Sequence, residues 1–202
     1  GEKGMKAEWE LVQRAKQGDE ESFAALVEQN QGRIYNLALR MTGNPDDALE
    51  LSQEAFLNAW KGLGKFQGDS SFATWLYRLT SNVCIDFLRR EKRRSALSMT
   101  ISLDDEEEAR QAELPDERFS PHVEAERRER QETLRAGLST LSAEHRRVLI
   151  LRELEGLSYG EIAQVLCLEE GTVKSRIARA RLALRNYLKK QGNFFDSSTS
   201  IP

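Results

Sequence analysis

An all-α fold, built as two small helical domains joined by an acidic flexible linker, is what this 202-residue sequence predicts. Three observations point there. Apolar residues recur at helical spacing, as in Phe23, Leu26, Val27, Ile34, Leu37, Ala38 and Met41. Residues that start helices stand where such runs begin, and no run shows the strict alternation of a strand. Charge, finally, is partitioned along the chain. Residues 5–95 hold 13 basic and 13 acidic groups, residues 96–133 hold 5 and 12, and residues 134–190 hold 11 and 6. The formal net charge of −3 thus hides a basic C-terminal module behind an acidic middle.

The first domain is read over residues 5–95, with residues 1–4 taken as an appended leader before Met5. Asn44 stands ahead of Pro45, Asp46 and Asp47. That order supplies an N-cap, a proline at the first helical position and two acids facing the positive end of the helix dipole. The helix so started meets no breaker before Gly62. Further on, Ser71 caps a long helix from Phe72, whose buried face is Leu76, Leu79, Val83 and Phe87. Trp75, Arg78, Asn82, Asp86, Arg89 and Arg93 form a second stripe about 100° away.

Trp75 is the anomaly, an indole on the polar stripe. The loop before it, residues 66–71, adds Phe66 and a glycine, Gly68, for backbone freedom. Aromatic rings beside arginine and asparagine suit single-stranded nucleic acid, because a base stacks on a ring while an amide reads its edge. Partly buried core rings are the plainer reading of Trp75 and Tyr77, and the basic run Arg89 to Arg94 shifts the balance toward nucleic acid. Cys84 falls in the apolar sector and reads as a small core residue.

Residues 96–133 have two prolines, few large apolar residues and no sustained periodicity until their end, so they read as a solvated linker. The tail, 191–202, is rich in Gly, Ser and Thr and reads as frayed.

In the second domain, 134–190, Ser142 caps a helix carrying Val148, Leu149, Leu151 and Leu154, and Gly156 stops it. Ser158 and Glu161 form the S-x-x-E capping box of a short helix burying Ile162, Ala163, Val165 and Leu166. A four-residue break, Cys167 to Glu170, leads to a second helix, and the pair makes a helix-turn-helix. On that second helix Val173, Ile177, Ala180, Leu184 and Leu188 share one core-facing stripe. Thr172, Arg176 and Arg179 line one edge of the opposite surface and Lys174, Arg181 and Arg185 the other, with Ser175 and Ala178 between them. Two basic rails flanking small residues suit a DNA groove, the rails meeting phosphates and the centre approaching base edges. An ordinary solvated helix is the alternative, but five of the six rail positions are cationic.

Several classes fall away. The chain shows no phosphate-cradling glycine loop, no Ser/His/Asp order and no metal-ligand spacing among Cys84, Cys167, His122 and His145. Neither an enzyme nor a cofactor or metal site is expected. No run reaches the roughly 18 apolar residues of a membrane span, so a cytoplasmic protein with no direct membrane insertion is the expectation.

Three stretches, "ALELSQEAFLNAW", "FQGDSSFATWLYRLTSNVCIDFLRR" and "LEGLSYGEIAQVLCLEEGTVKSRIARARLALR", closely resemble bacterial sigma factors of the extracytoplasmic-function type, group IV of the sigma-70 family. The resemblance spans about residues 8–95 and 134–190. It implies a two-domain initiation factor, sigma region 2 followed by region 4, that binds RNA polymerase core and is not itself an enzyme. It implies that Asp47, Glu50, Gln53 and Glu54 dock on the clamp coiled coil of the largest polymerase subunit, and that the flap of the second-largest subunit is a further contact. Phe66, Trp75, Arg78, Asn82, Asp86 and Arg89 would capture flipped bases of the −10 element. Thr172, Lys174, Ser175, Arg176 and Arg179 would read the −35 element. An anti-sigma factor is an implied partner. Two departures stand out. Leu49-Glu50 replaces the usual pair of acids after the alanine, and Glu169 takes a place often held by proline.

A flexible linker of about 33 residues spans about 30 Å on average and about 110 Å at full stretch. It cannot fix the spacing of two DNA elements, so core polymerase must. The resemblance further suggests that the acidic linker mimics nucleic acid in a basic polymerase channel. The rival reading is a stand-alone helix-turn-helix regulator, which would have no need of the aromatic and basic cluster over 66–94.

Overall fold

The computed structural model describes residues 2–99 and 121–191; the acidic run 104–108 and the tail from residue 192 lie outside the described residues. The all-α expectation holds, with helices and no strand among the described residues. The helices are α1 (Glu2–Lys16), α2 (Glu20–Thr42), α3 (Pro45–Gly62), α4 (Phe72–Met99), α5 (Pro121–Thr140), α6 (Ala143–Leu149), α7 (Tyr159–Leu166) and α8 (Glu170–Lys190). A 3₁₀ turn, Leu63–Lys65, follows α3, and a π-helical turn, Ile150–Leu154, follows α6.

Local chemistry sets most helix starts. Asn44 accepts from the backbone N–H of Asp46 at 2.8 Å and of Asp47 at 3.2 Å. Ser71 Oγ accepts from Thr74 N–H at 3.0 Å. Ser142 caps α6, and Ser158 with Glu161 closes the reciprocal capping box of α7. Each such cap satisfies N–H groups that the first helical turn leaves without an intrahelical partner. α1 was not foreseen. It carries few large apolar residues, and of its side chains from residue 6 onward only Val12 and Ala15 are buried.

Two apolar clusters hold the chain. The first joins Val12 and Ala15 of α1 to Leu26, Ile34, Ala55, Ala59, Leu63, Phe66, Phe72 and Leu76. The second begins in the N-terminal module with Leu37, Ala38, Met41, Tyr77 and Cys84. It runs without a break into Val148, Ile150, Leu151, Ile162, Val173 and Ile177 of the C-terminal module. α4 packs against α6 and α7, and α2 against the π turn. Fully burying a Val, Leu or Ile side chain is worth about 1.5–3 kcal/mol, so this shared cluster binds the modules more firmly than surface ion pairs could. α5 approaches α8 closely enough that a Cβ on Gly137 would stand 2.7 Å from Leu184 Cδ1 and 3.0 Å from Tyr187 Cδ1.

The boundaries differ from the sequence reading in three places. α4 continues past residue 95 to Met99, and α5 begins at Pro121 rather than near 134, so helix enters the expected linker from both sides. The turn of the helix-turn-helix is three residues, because Glu170 already belongs to α8. The helix stopped by Gly156 is α6 continued by a turn of wider, π-type winding.

Candidate nucleic-acid interface

The −10 candidates gather at the start of α4 and along one of its faces. The 3₁₀ turn brings the chain from α3 to Phe66, and Ser71 then restarts it as α4. Phe66 is only 5% exposed, inside the first core cluster, and Trp75 is partly buried over it. Their rings stack at 4.9 Å between centroids, with Phe72 5.8 Å from Trp75. Phe66 therefore supports the Trp75 indole from within and is not itself a surface residue in this arrangement. The plainer sequence reading, that Trp75 and Tyr77 are partly buried core rings, is met at both positions. Tyr77 is buried, whereas Trp75 keeps a partly open ring at the edge of loop 66–71.

Arg78, Asn82, Asp86 and Arg89 lie exposed along α4, as the angular reading placed them. Two of them already have partners in the C-terminal module. Asn82 Oδ1 accepts from Arg147 Nη1 at 3.1 Å, and Arg89 Nη2 donates to Glu144 Oε1 at 2.9 Å. Glu144 also pairs with Arg147 at 2.8 Å and Arg176 at 3.4 Å, so one carboxylate serves three guanidiniums. Beyond this cluster, Arg146 Nη1 donates to the Met41 carbonyl at 2.8 Å, and Arg40 pairs with Glu155. Tyr77 donates its hydroxyl to Glu155 Oε2 at 3.0 Å. Burial first, and Glu155 second, push the Tyr77 phenol up to about 12.

Arg147 is 8% exposed and its Nε has no hydrogen-bond partner among the described residues. Burial lowers the pKa of its guanidinium from the usual arginine value, and Glu144 pulls the other way. None of these cross-module contacts was legible in the sequence, where Arg146 and Arg147 look like solvated helix residues. Their signal is weak: two adjacent arginines flanked by the apolar residues of a short helix.

The helix-turn-helix presents its second helix outward. Cys167 turns the chain with φ 52°, and α8 follows with Val173, Ile177, Ala180 and Leu188 buried. Thr172, Lys174, Ser175 and Arg179 are exposed, and Arg176 is half-buried beside Glu144. Lys174 pairs with Glu170 at 3.7 Å and lies 5.6 Å from the Tyr159 ring centroid, and Arg181 pairs with Glu153. Among the described residues Arg179 makes no ion pair. Of the two rails, Thr172, Lys174, Arg179, Arg181 and Arg185 are exposed, and Arg176 is half-buried.

On α3, Glu50, Gln53 and Glu54 are exposed and Asp47 is half-buried. Desolvation, then the neighbouring Glu91, Glu50 and Asp46, raises the Asp47 pKa. Next to this acidic face runs an open apolar groove lined by Phe23, Val27, Phe56, Leu57 and Trp60, with Gln53 at its rim. Leu57 is 58% exposed and Leu49 53%. Exposed apolar surface rimmed by polar groups marks an interaction surface or a ligand groove.

Two family matches agree with this layout. Residues 26–94 match sigma-70 region 2, and residues 131–184 match sigma-70 region 4. The RNA polymerase sigma-H factor of Pseudomonas aeruginosa is 38% identical over 180 residues, covering 89% of this chain and 93% of that one. The chain belongs to the extracytoplasmic-function sigma factors of the sigma-70 family. The ECF sigma-E factor of Escherichia coli is 35% identical over 176 residues, covering 87% of this chain and 91% of its own. SigW of Bacillus subtilis is 32% identical over 178 residues, 88% of this chain and 95% of its own. The structure of CnrH in complex with the cytosolic domain of CnrY superposes with a TM-score of 0.63 at 25% identity, covering 91% of this chain and 98% of that one. This sigma factor thus serves transcription initiation. Sigma factors are not enzymes, and no described helix is long and apolar enough to cross a membrane.

Proposed function

We propose that this sigma factor works in the cytoplasm by bringing RNA polymerase core to promoters read at two places. Residues 5–95 act as region 2 and residues 134–190 as region 4, and the acidic segment between them passes through polymerase. Asp47, Glu50, Gln53 and Glu54 meet the clamp coiled coil, with the apolar groove ending at Leu57 and Trp60 extending that contact, while region 4 meets the flap. Thr172, Lys174, Ser175, Arg176 and Arg179 read the −35 element in the major groove. Trp75 receives a flipped base, backed by Phe66, while Arg78, Asn82, Asp86 and Arg89 track the separated strand.

The observation that carries this reading is the Phe66–Trp75 stack at the head of a helix whose same face exposes Arg78, Asn82, Asp86 and Arg89. A duplex reader has no use for it. Flipping a base costs a few kcal/mol, and stacking on an aromatic ring returns about 1–3 kcal/mol. An anti-sigma factor covering the polymerase-binding surfaces completes the set of partners.

The test is permanganate footprinting of the DNA upstream of its own gene, with and without bacterial core polymerase. Reactive thymines only when protein and core are both present support the reading. Protection of duplex DNA by the protein alone, with no reactive thymine, would replace it with a stand-alone regulator.

A further inference from the structure

Neither family match reaches α1, yet α1 holds loop 66–71 at two points. Lys16 Nζ donates to the Phe66 carbonyl at 2.8 Å. Trp9 closes on Gly68: a Cβ there would stand 2.7 and 2.8 Å from two atoms of the indole, and the Gly68 φ of +81° already disfavours any side chain. The Trp9 ring also meets Phe66 edge-on, 6.2 Å between centroids. Trp9 and Lys16 are seven residues apart, two helical turns on one face, with Val12 and Ala15 buried between them. Downstream, the loop is fixed again by the Ser71 cap on Thr74. Gln67 and Asp69 are left exposed between these anchors.

We propose that Trp9 and Lys16 are positioning residues for base capture: they hold loop 66–71 in its working shape, so that the Trp75 ring and the loop form a ready-made seat for one flipped base. Trp9 is 41% exposed, so it packs on the loop from the solvent side. Its placement follows if its task is to press on the loop from outside. A loop already ordered before the base arrives does not pay its ordering cost at binding. The inference rests on the −10 reading proposed above.

The test uses full-length protein assembled with core polymerase and a pool of single-stranded DNA with a randomised centre, the retained strands being sequenced. Wild-type holoenzyme is expected to enrich a short motif, and Trp75→Ala to lose it. Trp9→Ala and Lys16→Met should each lower that enrichment about five- to tenfold, with core binding unchanged. Trp9→Phe and Lys16→Arg should restore most of it. The Trp9→Ala/Lys16→Met double variant should be little worse than either single one, since both act through one loop. Wild-type enrichment by Trp9→Ala and Lys16→Met, with Trp75→Ala defective, would overturn the inference alone. So would a loss matched by lost core binding. If the wild type enriches nothing, the −10 reading falls and takes the inference with it.

Discussion

The two surfaces assigned to DNA differ in their readiness. On α8, Thr172, Lys174, Ser175 and Arg179 are exposed, and within the module Arg176 reaches Glu144 of α6 while Lys174 lies over the Tyr159 ring of α7. On α4, Asn82 and Arg89 are already bonded to Arg147 and Glu144 of the other module. On the proposed assignment, the α8 face is largely open to a duplex, whereas the α4 face must exchange protein partners for DNA. The difference suits the order in which the elements are needed. Duplex recognition comes first, and an unpaired strand exists only later, once core polymerase is present.

That contrast can be broken from either side. The largest effect is expected from Trp75→Ala. Losing one base stack of about 1–3 kcal/mol should lower promoter opening up to about a hundredfold, with −35 duplex binding by holoenzyme unchanged in a gel-shift assay. Arg179→Ala should do the reverse. It should weaken duplex binding about tenfold, within the range of one lost groove contact, and leave affinity for a pre-opened promoter bubble nearly intact. If Arg179 meets phosphate, the salt slope of binding should also fall by about one.

A smaller effect sharpens the comparison. Arg147→Ala removes the bond to Asn82 together with a buried guanidinium whose Nε is unpaired. A hydrogen bond to a charged group is worth about 1.5–3 kcal/mol net, part of which the unpaired Nε offsets. Arg147→Ala should therefore widen the free protein in small-angle scattering and raise single-strand binding several-fold. Unchanged dimensions and affinity would mean that the modules do not compete with DNA for α4.

The smallest effect is one of pH. Tyr77 is pushed up to about 12 from 10.0, and burial, then Glu54, pushes the Cys84 thiol up to about 12 from 9.0. Both groups keep their proton in the folded chain and lose it earlier when unfolded. Their contribution is therefore fully present below pH 9 and is lost as pH rises toward 12. Chemical denaturation across that window should show falling stability, and Cys84→Ala should flatten the part that begins near pH 9.

Much of this architecture was legible because it is local. Asn44-Pro45, Ser71, Ser142 and the Ser158/Glu161 box declare their helices through bonds spanning two or three residues, and Val173, Ile177 and Ala180 announce a buried stripe by spacing alone. The stripe on α4 was legible for the same reason. What stayed hidden depends on partners far away in sequence. Arg146 binds Met41 and Arg147 binds Asn82, and no periodicity marks such a pair. Phe66 looked like a surface ring because its loop is polar, but the loop folds it inward under Trp75. α1 was missed because its packed face is narrow and its most visible aromatic, Trp9, stays partly in solvent.

The apolar cluster that runs through both modules also gives the molecule a thermal character. Parting the modules would wet Met41, Tyr77, Ile150 and their neighbours, and wetting such surface raises the heat capacity. The attraction across that seam is chiefly entropic near room temperature and weakens on cooling. Ion pairs such as Arg89–Glu144 respond instead to salt. A chain joined in both ways has two separate dials, and chilling should loosen the hold of region 4 on α4 even where ionic strength is unchanged.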